Sequence, residues 1–459
     1  MTLHHCVERL APVAFGLGLL LAAAGVSAQV AGEVEFARGV GFAQTPGQGP
    51  RTLGKGLSLR EGDRLTTSDG ASAIIKLDDG TRMTIRPNSE MILQEYHFKE
   101  NAPDNSMLMQ LVRGGFRAVT GLISKNAPNA ARVQTSTATI GIRGTDFDAR
   151  LCVRECAAES SRVQETARPN GVQASAKVVT SQGELNATDA AGVRRRVVEG
   201  GSVYPGDLVE TSRDTLAVLA FRDDTRITLG QTTRFRIDNF VYDSQNAGEG
   251  RFLASILKGS VRALTGLIAK SNNRNVGFST ATATIGIRGT GFDVRCTAAC
   301  AQEESTGDDG GTTIFTWLGS VDVTPQGSTA LEVLQAGQGL FISRNGIRPI
   351  LEAPPSEGPR PDSVVVPPKL FSHDSVSDDQ EGLFVFVRSG HISIATASDV
   401  LHLGKNEAGF AGTNGNTSRP SLIPKFLDFD RLPLPTSKNP LLLMALADAG
   451  VKPTDQCKP

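Results

Sequence analysis

Catalytic signatures are missing from this 459-residue sequence. It has six histidines, and the four beyond residue 28 (His97, His373, His391 and His402) show no metal-ligand spacing. There is no Gly-x-Ser-x-Gly elbow and no phosphate-binding glycine loop, which argues against hydrolase and nucleotide chemistry. No enzyme activity, cofactor or metal is therefore expected. The formal net charge is −1, so nothing draws the chain in bulk to nucleic acid or to an anionic membrane. The one dense basic run, Arg194-Arg195-Arg196, would point to alternate faces of a strand and is expected at a solvated edge. Long hydrophobic runs are lacking too. The apolar stretch 13–26 is too short to span a membrane comfortably, and Val26-Ser27-Ala28 behind it fits a small-residue cleavage site. Residues 1–28 are expected to be an export signal cut after Ala28. Cys6 precedes the apolar run and cannot become a lipid-bearing N-terminal cysteine.

What is present is an internal repeat. Thr-Ala-Thr-Ile-Gly-Ile-Arg-Gly-Thr occurs at 137–145 and again at 282–290. Self-similarity of this kind has to be read before local structure. The copies extend in both directions. Gly62-Asp63 and Thr67-Ser68 match Gly206-Asp207 and Thr211-Ser212. Asp79, Thr81 and Arg82 match Asp223, Thr225 and Arg226, and Arg117-Ala-Val-Thr120-Gly matches Arg262-Ala-Leu-Thr265-Gly. Phe147-Asp148 matches Phe292-Asp293, and each copy closes on Cys-x-x-x-Cys.

These residues resemble the FecR-domain family, whose pattern is a Gly-Asp followed by Thr, then Leu-x-Asp-Gly-Ser/Thr, a Gly-x-x-Arg strand and Val/Ile-Arg-Gly-Thr-x-Phe. The resemblance covers 62–156 and 206–300. It implies an all-β fold with solenoid-like stacking of short strands. The best-known members are periplasmic regulators that relay occupancy of an outer-membrane transporter to a sigma factor. This chain shows no internal transmembrane segment and no recognisable sigma-binding region. The resemblance therefore implies an exported binding or sensing scaffold in the periplasm or envelope of a Gram-negative bacterium, with a protein or envelope partner. A surface assembly protein with self-associating modules is the alternative.

The residues by themselves also read as β. Ala73, Ile75 and Leu77 alternate with Ile74 and Lys76, and Ala217, Leu219 and Phe221 repeat the pattern before a turn at Asp79 or Asp223. Residues 252–267 could form a helix, but Gly259 and the alternation at Leu108, Gln110 and Val112 favour strand. A Gly-corner motif recurs four times, at Gly32, Gly183, Gly319 and Gly390. The expected organisation is tandem solenoid-like or sandwich-like modules at 29–200 and 201–352, a Pro-rich linker at 353–369, a separate β segment at 370–411 and a loosely ordered tail at 412–459.

Asp79 and Asp223 are expected to cap turns. Arg143 and Arg288 need partners, such as Asp79/Asp223, Asp63/Asp207 or a backbone carbonyl; recognition of an anionic or carbonyl-bearing ligand is the alternative. Thr145 and Thr290 belong to the same element. Cys152/Cys156 and Cys296/Cys300 are expected as disulfides in an oxidising compartment, with a Cys₄ metal site or a redox dithiol as alternatives. Cys457 is left over.

Overall fold

The computed structural model describes residues 29–126, 130–297, 310–343, 345–355, 357–429 and 433–435. The expected export signal at residues 1–28, Cys300 and Cys457 lie outside the described residues. The chain is mostly β and forms two large open sheets, of 15 and 17 strands among the described residues. Strand order largely follows the sequence, and most of the extra pairings join strands three apart, so short hairpins stack over a common core. Inward positions alternate along many strands, while Ser72–Leu77 and Leu216–Phe221 are buried on both faces. Ile75, Leu77, Leu219 and Phe221 are all buried, as the period of two requires.

The two copies share one trace. Arg82–Ile85 pairs with Ser72–Leu77 and with the end of Ser106–Val119. Arg226–Leu229 pairs in the same way with Leu216–Phe221 and with the end of Arg251–Leu264. The helix candidate at 252–267 is strand through Leu264, and a short helix, Leu267–Ser271, follows it. Gly259, at φ +88°, marks a bulge where that long strand passes from one layer to the other.

Three expected boundaries change. The second sheet begins at Ala176, inside the stretch given to the first module. The β segment 370–411 is not separate: its strand Gly382–Ala395 runs antiparallel to Thr139–Cys152, in register from Thr139 with Ala395 to Cys152 with Gly382. The second module completes itself locally, pairing Gly291–Cys296 with Gly311–Leu318 and Ala283–Ile287 with Ser320–Pro325. Gly390 (φ +89°) and Gly319 (φ +70°) take the same corner. A Cβ there would meet the carbonyl oxygen of Gly144 at 2.3 Å or of Gly289 at 2.6 Å. The second module is thus inserted into the first, which is closed by strands more than 200 residues downstream. The third change is in the tail. Ile423, Phe426 and Leu427 are buried against Phe384, Phe386 and Phe410, so 412–429 is packed rather than loose.

Candidate functional site

The repeated residues build two corners in each module. Strand Ser72–Leu77 ends at a turn where Asp79 accepts hydrogen bonds from the Thr81 amide (3.0 Å) and hydroxyl (2.9 Å). Thr81 Oγ1 in turn accepts from the Gly121 amide at 2.9 Å. Asp223, Thr225 and Gly266 repeat this at 3.2, 2.9 and 2.9 Å. Burial raises the Asp223 pKa, opposed by its Thr225 bonds. Side chains shorter than glycine's do not exist, and a Cβ on Gly266 would meet the Asp223 carbonyl oxygen at 1.9 Å. The two carboxylates therefore cap turns, and both are buried.

Ile-Arg-Gly-Thr is the second corner. Gly144 and Gly289 sit at φ +56° and +68°, where glycine is favoured. The following threonine ties three segments together. Thr145 Oγ1 donates to the His391 carbonyl (3.1 Å), while its amide donates to Thr120 Oγ1 (2.8 Å). Thr290 does the same with Ser320 (3.2 Å) and Thr265 (2.9 Å). Arg288 does not take either expected carboxylate. Arg288 is half-exposed and pairs with Asp322 at 2.8 Å, not with Asp207 or Asp223. Asp63 is instead held by Arg51 (2.6 Å), and Asp207 by Arg195. The middle of the basic run Arg194–Arg196 is thus an internal ligand, while its neighbours are exposed. Arg143 is half-buried, and burial and the charge of Arg196 lower its pKa.

Stability should follow this geometry. Arg288→Ala removes an exposed ion pair and should cost under about 1 kcal/mol. Thr290→Val removes the hydroxyl donor of the part-buried Ser320 carbonyl, while its backbone keeps both bonds to Thr265, and should cost about 1–2 kcal/mol. Urea unfolding of the two variants side by side checks the order.

A cluster that does not repeat lies where the second module's first strand meets the first module's closing hairpins. Glu407 Oε2 accepts from Lys177 Nζ (2.9 Å) and Arg419 Nε (3.0 Å), and all three side chains are at most 1% exposed. Both cations also donate to the His402 carbonyl, at 3.1 and 2.9 Å. Burial pushes the Lys177 pKa down to about 8, against the pull of Glu407. His391 Nε2 and His402 Nδ1 lie 3.2 Å apart. Burial first, then the Lys177 and Arg143 charges, pushes His402 down to about 4; His391 is lowered in the same direction. A shallow cleft of about 230 Å³ opens beside them, lined by Val178, Glu199, Gly200, Lys369 and His402 among others. Sequence reading missed this cluster because its members have no counterparts in the other copy.

These histidines should make the junction acid-sensitive. The folded pKa of His402 lies below the usual 6.5, so between pH 6.5 and about 4 the unfolded chain binds a proton that the folded chain does not. Stability should be complete above pH 6.5 and fall toward pH 4. Melting curves across that window should show a smaller decline for His402→Gln.

On the outward face of each sheet, Arg117 bridges to Asp146 (2.9 Å) and Arg262 to Asp293 (3.0 Å). Asp148, the counterpart of Asp293, binds Arg388 at 2.7 Å, and the indole N–H of Trp317 takes the equivalent place on Asp293 at 3.0 Å. Cys152 and Cys156 form a disulfide, with Cα atoms 5.7 Å apart, where the first module hands over to the second. Cys296 is disulfide-bonded as well. Among the described residues no group of three His, Cys, Asp or Glu could hold a metal ion, and no helix is long and apolar enough to cross a membrane.

No curated protein matches the chain. Two solved structures of a candidate anti-sigma factor from Parabacteroides distasonis align over 32% of this chain and 59% of theirs, at 16% identity and a TM-score of 0.24. The chain therefore spans under two thirds of that protein. The family model for FecR protein matches residues 63–164 and 207–321, one segment in each module. The two modules are FecR domains.

Proposed function

We propose that this chain is an exported, non-catalytic scaffold of the Gram-negative envelope that binds or senses a protein partner. One observation carries the reading. The carboxylates, threonines and glycines that recur in both domains, Asp63/Asp207, Asp79/Asp223, Thr145/Thr290 and Gly144/Gly289, are engaged within the fold. The repeat therefore serves architecture, and recognition falls to surfaces that differ between the domains. The FecR resemblance supports a relay in the periplasm, reached through the export signal expected at residues 1–28.

Fractionation of the expressed chain, followed by cross-linking and affinity capture, tests this reading. A mature N-terminus at Gln29 and one defined partner are expected. Capture of only the chain itself would support the assembly alternative, which the exposed terminal strand Gly346–Ile350 and the neighbouring Leu351 favour. Recovery in the cytoplasm would refute both.

A further inference from the structure

The outward face of each domain is covered by a segment of this same chain, the first carrying the short helix Lys425–Asp428 and the second a 3₁₀ turn at Pro361–Ser363, and the two covers are held very differently. In the first domain, Thr84 Oγ1 donates to the Pro433 carbonyl (2.8 Å), Arg86 to Phe426 (3.2 Å) and Arg388 to Leu427 (3.0 Å). That cover is anchored by Phe426 and Leu427, both buried. In the second domain, the equivalent Thr228 Oγ1 donates to the Pro359 carbonyl at 2.9 Å. The cover there is residues 357–364, Glu-Gly-Pro-Arg-Pro-Asp-Ser-Val. Of these only Pro361 is buried, while Pro359, Arg360, Asp362 and Ser363 are exposed.

The contacts of this strap read like those of a bound peptide. Glu357 accepts from the Gln231 amide and the Ser260 hydroxyl, both at 3.0 Å, and lies 3.6 Å from Arg295. Arg262 donates to the Gly358 carbonyl (3.3 Å) and Arg226 to the Val364 carbonyl (3.1 Å). The Arg360 guanidinium stacks 4.2 Å from the ring of Trp317. Gly358 has φ +81°, and a Cβ there would meet Thr228 Cγ2 at 2.9 Å, so the site selects glycine. Among the described residues no backbone ladder joins the strap to the sheet; side-chain donors read its carbonyls and carboxylate. Pro359 and Pro361 fix their own φ angles and so reduce the ordering entropy that such a segment loses on docking.

We propose that the outward face of the second FecR domain is a docking groove for a segment of a protein partner with an acidic residue, then Gly-Pro, then a basic residue and a turn, and that residues 357–364 occupy it in cis. The proposal rests on the reading of the chain as a partner-binding scaffold. A tethered strap competes at an effective concentration on the order of millimolar, so free peptide meets a largely closed groove.

The test uses the full chain with residues 357–364 replaced by a Gly-Ser linker of equal length, and a fluorescent peptide of sequence Glu-Gly-Pro-Arg-Pro-Asp-Ser-Val. Trp317 is the single tryptophan, so its emission reports groove occupancy. The peptide should bind the replaced chain saturably and reverse its Trp317 shift. Binding to the unaltered chain should be weaker by roughly tenfold or more. Thr228→Val in the replaced chain should weaken binding again, and a scrambled peptide should not bind. If the replaced chain does not fold, the double variant Glu357→Gln, Arg360→Gln loosens the strap in place and should bind the same peptide more tightly than the unaltered chain. Equal binding to strapped and unstrapped chains, or none to any folded variant, overturns the proposal. Capture of a partner by a chain that fails these peptide tests would leave the scaffold reading intact and sink the groove alone.

Discussion

Glu407→Gln should destabilise the protein by about 3–5 kcal/mol, because it leaves two buried cations, Lys177 and Arg419, without their shared anion. The substitution keeps the shape and removes only the charge. Lys177→Met should cost far less, since Arg419 and Glu407 remain paired and the excess positive charge disappears. Denaturant unfolding of the pair of variants separates a charge effect from a packing effect. Equal losses would mean that the cluster acts through packing. A Glu407→Gln chain as stable as the parent would mean that the cluster is not buried in solution.

Phe221→Ala should be comparably severe, at about 3–5 kcal/mol. Phe221 is 1% exposed and sits among aromatic rings, with centroids 4.6 Å from Phe252 and 5.5 Å from Phe240. Its loss opens a cavity between layers already joined by Phe278 and Phe292. The unfolding transition of the second domain should shift, while the first domain's shifts little. An unchanged midpoint for both would contradict the core described here.

Much of the fold is legible because it is written twice. The alternation at Ile75 and Leu77, repeated at Leu219 and Phe221, fixes which face is inward, and the Asp-x-Thr turns follow from local hydrogen bonding. What is not legible depends on distance or on residues written once. Gly382–Ala395 looks like a lone hairpin because its partner strand lies some 230 residues upstream, although the shared Gly319/Gly390 corner hints at the match. The partner of Arg288 is hidden for a related reason. Asp322 and Arg195 face Arg288 and Asp207 only once neighbouring hairpins stack. Lys177 and Glu407 fall outside the repeated motifs, so comparison of the copies is blind to them.

Insertion of the second FecR domain into the first is the centre of the account, and backbone hydrogen exchange tests it most directly. Phe147→Leu weakens the first domain's core at a fully buried ring. If Gly382–Ala395 closes the first domain, its amides should exchange faster in this variant, in step with Ser106–Val119 and Thr139–Cys152, while Gly311–Leu318 and Ser320–Pro325 stay as protected as before. Exchange at Gly382–Ala395 that ignores the substitution, or that follows the strands of the second domain, would contradict the nested arrangement.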